Sequence, residues 1–96
     1  MDAPESGFDA EGMDALHRHL HTQCAALSPS LFGWATLRLR RFPKVRIEAA
    51  DIVQETWFRA LSSVSANANR LSAPAALRAW LFGIAQNVLL EEVRRA

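Results

Sequence analysis

Cysteine is nearly absent: Cys24 is the only one in 96 residues, so no internal disulfide can form. A reducing cytoplasm suits that composition. Long apolar runs are absent too. The longest, from Ala79 through Phe82 to Ala85 with Gly83 inside it, falls far short of the ~20 residues that span a bilayer. No basic start leads into an apolar stretch, so no secretory signal is visible. The four glycines are isolated, which excludes a phosphate-cradling glycine loop. No Ser/His/Asp or Cys/His arrangement for nucleophilic catalysis is present. No stretch alternates apolar and polar residues as a half-buried strand does. The residues point away from an enzyme, a secreted protein and a membrane protein.

What is present suffices for one core. Half of the residues are hydrophobic, enough for a single compact domain and too much for a wholly disordered chain. The formal net charge of +1 hides an uneven division. Residues 1–15 carry five acids and no Lys or Arg, while residues 16–96 carry all eleven Lys and Arg against five acids. Residues 1–12, with Pro4, Gly7 and Gly12, are expected to form a flexible acidic leader, and residues 13–96 a basic domain.

The apolar spacing of that domain is helical throughout. Met13, Leu16, Leu20 and Leu27 recur on one side, with Cys24 among them. Ser28-Pro29 is expected to end that helix and start another, Ser28 as cap and Pro29 in the first position. Phe32, Ala35, Leu39 and Phe42 then share a face, and Pro43 stops the run. A third helix starts near Glu48, with Glu48 and Asp51 at the positive end of its dipole. Its stripe is Val53, Trp57, Ala60 and Val64, widened by Ile52 and Leu61. Residues 65–72 are small and polar and predict a loop. Pro74, behind a Ser72 cap, opens the last helix, whose stripe is Leu77, Leu81, Ile84 and Val88. The predicted fold is all-α, a compact bundle of about four helices. Trp57 and Trp80 are expected in its core. His17, His19 and His21 are read as a solvated face, since two histidines four apart are too few ligands for a metal site, and no cofactor is expected.

One face of the third helix does not fit a core. Asp51, Gln54, Glu55 and Phe58 lie off the apolar stripe, and an exposed aromatic among acids suits a partner with both apolar and basic character. The segment Ala50-Asp-Ile-Val-Gln-Glu-Thr-Trp-Phe-Arg-Ala60, followed by Leu77-Arg-Ala-Trp-Leu-Phe-Gly-Ile-Ala-Gln-Asn-Val88, resembles region 2 of the extracytoplasmic-function sigma factors of bacterial RNA polymerase. The resemblance covers residues 13–96. It implies that Asp51, Gln54, Glu55 and Phe58 dock on the coiled coil of the polymerase β′ clamp. It also implies that the loop before the last helix and that helix engage the promoter −10 element, with a base of the non-template strand turned out into a pocket. Cations for phosphate and amides for a base edge are what that task needs. The candidates are Arg70 and Arg78 for phosphate, Asn67 and Asn69 in the loop, and Asn87 on the helix. Arg38, Arg40, Arg41, Lys44 and Arg46 offer further phosphate contacts.

Three departures accompany the resemblance. The loop around Ser65–Ala73 is longer than the family's usual connection. Gly83 and Gln86 stand where the family often has Arg, which removes positive charge from the last helix. The chain ends at Ala96 without the domain that reads the −35 element, so it is expected to be one domain of a longer factor. The alternative reading is a sigma-like interaction module that binds an anti-sigma factor as a decoy without reading a promoter.

Overall fold

The computed structural model describes residues 10–64, Ala66, Leu71 and residues 73–96, without the side chains of residues 10–14 and of Pro74. These residues form three helices, α1 (Ala10–Leu39), α2 (Ala49–Ser63) and α3 (Pro74–Arg95), and no strand occurs among them. The all-α class agrees with the sequence reading; the count of about four does not. The two helices expected on either side of Ser28-Pro29 are one.

The reason lies in the phase of the apolar residues. Pro29 has no N–H for the carbonyl of Ala25, and an interior proline costs a helix about 3 kcal/mol. Yet Leu16, Leu20, Cys24, Leu27, Leu31 and Ala35 follow one another at intervals of three or four across it. Leu20, Leu31 and Ala35 are buried, and this unbroken stripe packs both halves of α1 on the same core. The stripe expected for a separate second helix used Phe32 in place of Leu31, one position out of phase. Phe32 is 48% exposed and Leu31 1%. Ser28 caps nothing. Its hydroxyl accepts the indole N–H of Trp57 at 2.9 Å, 29 residues away, which fixes α2 against α1 and satisfies a buried tryptophan's donor.

α1 ends at Leu39, and backbone bonds from Arg41 to Arg38, Phe42 to Leu39 and Val45 to Phe42, each 3.0 Å, turn the chain. Phe42 and Ile47 pack on the core from this connection. α2 then runs back along α1. Its N-cap is Glu48, whose N–H donates to Asp51 Oδ2 at 3.2 Å, so the Asp51 carboxylate closes the first turn as the dipole favours. Ile52, Thr56, Trp57, Ala60 and Val64 are buried; the Thr56 hydroxyl donates to the Ile52 carbonyl at 2.7 Å. Leu61, expected to widen the stripe, is 47% exposed.

Pro74 sits in the first turn of α3, as expected, behind Ala73 as N-cap; Ser72 lies outside the described residues. Leu77, Leu81, Ala85, Val88 and Leu89 are buried, whereas Ile84 is half-buried at the flank of the stripe. Leu71 is buried too and anchors the α2–α3 connection to the core. No helix among the described residues is long and apolar enough to cross a membrane.

Candidate functional site

Asp51, Gln54, Glu55 and Phe58 follow at intervals of three, one and three, which gathers them on one side of α2. Ile52, Thr56 and Ala60 are buried on the other side. Asp51, Gln54 and Phe58 are exposed and Glu55 half-exposed. Phe58 is the most exposed large apolar side chain described, at 65%, and Leu61 one turn on extends its patch. Asp51, Gln54 and Glu55 also line one 370 Å³ cleft between α2 and α3, together with Arg59, Glu92 and Arg95. Phe58 is not part of that cleft. On the other flank, Ala50, Val53 and Gln54 form a 650 Å³ groove with Ala25, Pro29 and Phe32 of α1. The ridge thus stands between a charged cleft and an apolar groove.

Two of the four ridge residues are already engaged. Asp51 holds the Glu48 N–H through one oxygen. Glu55 Oε2 accepts from Arg59 Nε at 2.9 Å. The same guanidinium forks onto Glu91 of α3, Nη1 to Oε2 at 2.9 Å and Nη2 to Oε1 at 2.7 Å. Arg59 is thereby a bidentate tie between α2 and α3 and the holder of Glu55. Its hydrogen bonds, with Glu91 first and Glu55 second, raise its affinity for its proton. Those from Arg59 hold the Glu91 carboxyl below the ordinary carboxylate range. The sequence reading missed Arg59. Its spacing of four from Glu55 was a usable signal; the bond to Glu91, 32 residues away, left none.

The nucleic-acid candidates divide. Asn67, Asn69 and Arg70 lie outside the described residues. Asn87 is exposed and lines an open pocket of 660 Å³ with Leu71, Trp80, Gly83, Ile84 and Gln86. Trp80, expected in the core, is half-buried: it packs on the core and also walls this pocket. A Cβ at Gly83 would meet nothing within 4 Å, so packing does not require the glycine. Among the described residues the lining holds amides, an indole and apolar carbons, and no cation. Arg78 is elsewhere. It lies nine residues, about two and a half turns, before Asn87, hence on the opposite side of α3. There its guanidinium sits over the Phe82 ring, 4.9 Å from the centroid.

His17, His19 and His21 are exposed, and His17 and His21 flank Leu61 in a shallow depression. Among the described residues no three His, Cys, Asp or Glu side chains are grouped to hold a metal.

The family model for sigma-70 region 2 matches residues 25–96, from the middle of α1 to the end of α3. The chain belongs to the sigma-70 region 2 family, which implies a sigma-factor-like role in promoter recognition and RNA polymerase binding. Comparison with curated proteins gave no match, nor did comparison with solved structures.

Proposed function

We propose that the domain is region 2 of an extracytoplasmic-function sigma factor. It acts in the cytoplasm without catalytic activity of its own, docks on the β′ clamp through α2, and recognises and helps melt the −10 element. The observation that carries this reading is the α2 ridge: a strongly exposed phenylalanine beside two carboxylates and an amide, opposite a fully packed core face. A basic, partly apolar coiled coil complements it in charge and shape.

The test must separate docking from folding, because Asp51 and Glu55 also hold α2 in place. Asp51→Asn and Glu55→Gln keep an oxygen for the Glu48 N–H and for Arg59 while removing the charge. Capture of a β′ clamp fragment by the double variant should fall about tenfold or more, since close charge pairs couple by ~1.5 kcal/mol upward. Undiminished capture rejects the ridge as the docking face.

The Asn87 pocket is the proposed seat of an unstacked base: an indole and apolar carbons for its faces, amides for its edge. A second reading, a decoy for an anti-sigma factor, is favoured by the neutral lining at Gly83 and Gln86. Fluorescence anisotropy with a library of −10-like single strands decides between them. Promoter reading predicts preferred sequences that Asn87→Ala abolishes. Equal binding of all sequences at low salt leaves only the decoy.

A further inference from the structure

Arg78, displaced from the Asn87 pocket, belongs to a different arrangement. Phe82 beneath it meets Trp34 of α1 edge to face, with ring centroids 6.0 Å apart and planes at 87°. The Arg38 guanidinium in turn lies over Trp34, 5.5 Å from the centroid of the indole ring. The order across the α1–α3 seam is therefore Arg78, Phe82, Trp34, Arg38: two exposed cations, each held over a half-buried ring, with the rings locked together. Farther along the seam, exposed Arg41 and Lys44 border a 260 Å³ pocket with Phe42 of the connection and Val93 of α3.

The α1 and α3 segments that carry the stacked pairs contain no acid. Residues 15–47 and 73–90 contain no Asp or Glu. The carboxylates that follow are Glu48, the N-cap residue of α2, and Glu91 and Glu92, which are bound to Arg59 and Arg95. In a domain with five acids after residue 15, this is charge segregation along one surface.

We infer that the α1–α3 seam is a second nucleic-acid site, a sequence-independent track for the phosphate backbone of promoter DNA, on the other side of α3 from the Asn87 pocket. The inference rests on the promoter-DNA reading above and extends it to α1. A guanidinium held over a ring has already given up much of its rotamer freedom and keeps its N–H edges for phosphate oxygens. A phosphate backbone offers one charge per about 3.4 Å of strand, so a row of separated cations can be matched without sequence. A protein partner is the poorer fit, because the centres of protein interfaces are depleted of charge and this surface presents Arg38, Arg41, Lys44 and Arg78.

The experiment is a salt titration of anisotropy using the whole chain, a fluorescein-labelled duplex of non-promoter sequence and a −10-like single strand. Arg38→Gln/Arg78→Gln should weaken binding to both strands alike. The slope of log affinity against log salt for the duplex should fall by about 2, near 0.9 for each phosphate that is no longer neutralised. Arg41→Gln/Lys44→Gln, outside the stacked pairs, should weaken binding in the same way, and it keeps the test available if the stacked pair proves necessary for folding. Asn87→Ala should instead remove sequence preference and leave the slope. An unchanged slope in either folded cationic pair overturns the seam while the −10 reading stands. No binding of the parent chain to any oligonucleotide at low salt overturns both. Tighter binding to phosphatidylserine vesicles or to a polyglutamate peptide than to the duplex assigns the seam to another partner and overturns it.

Discussion

Arg59 shows how one side chain serves structure and interface together. Its fork on Glu91 ties α2 to α3, and its Nε–H holds Glu55 on the ridge. Glu55 was legible as an exposed acid, and Arg59 four residues later was legible as its helical partner. The third member came from another helix and carried no local signal. The tie has a pH signature. The Arg59 hydrogen bonds lower the pKa of Glu91 in the folded state below its ordinary 4.5. Such a group contributes stability above its unfolded pKa, and the contribution disappears as pH falls through the folded value. Thermal melts from about pH 6 downward should show the parent losing Tm more steeply than Glu91→Gln below about pH 5. Parallel curves for the two proteins would show that the fork adds nothing to the fold. Asp51 has the same double character, a capping acceptor that also faces outward, which is why neutral isosteres and not charge reversals test the ridge.

At the level of elements, helical spacing identified α2, α3 and both halves of α1 as separate helices, and the buried stripe of α2 followed from it at Ile52, Trp57, Ala60 and Val64. It failed where propensity and packing disagree. Ser28-Pro29 is a strong local start signal, yet α1 passes through it because Leu31 and Ala35 continue the phase of Leu20 and Leu27. Local chemistry cannot report that a neighbouring helix lies over the break and that Trp57 holds Ser28 across it. In α3 the stripe was placed slightly to one side. Ala85 and Leu89 are buried where Ile84 was expected, because an alanine gives a weak apolar signal even at a tightly packed position. Gly83 gives this scale its test. It is exposed in mid-helix, and a Cβ there meets nothing. Gly83→Ala should stabilise the domain by about 0.5–1 kcal/mol, a rise in Tm of several degrees in a differential scan. A lowered Tm would contradict the packing described for α3. If the pocket beside Gly83 receives a base, the same methyl should weaken binding of the preferred −10 strand even as it stabilises the fold.

For the whole molecule, a net charge near zero is the sum of separated surfaces. The domain's acids gather at the start of α2 and the end of α3, where they cap, tie and face the cleft beside the ridge. Six of its eleven cations, Arg38, Arg40, Arg41, Lys44, Arg46 and Arg78, belong to the α1–α3 seam and the connection after α1. The sequence disclosed the unequal amounts, but the pairing of Arg38 with Arg78 through Trp34 and Phe82 needed the helices in place. Likewise the opposite placement of Arg78 and Asn87 was already implicit in their spacing of nine, yet a shared role drew them together in the reading. The family match spans both ends of this arrangement, from the middle of α1 through α3.

The central claim is that the exposed ridge of α2 meets polymerase, and Phe58 tests it most directly because its 65% exposure separates binding from folding. The measurement is calorimetric titration of a β′ clamp fragment with the parent chain and with Phe58→Ala, alongside their melts. An aromatic anchor at the centre of an interface contributes ~2 kcal/mol or more, so the account predicts a Kd raised about thirtyfold at an unchanged Tm. Equal Kd values for the two proteins would contradict it.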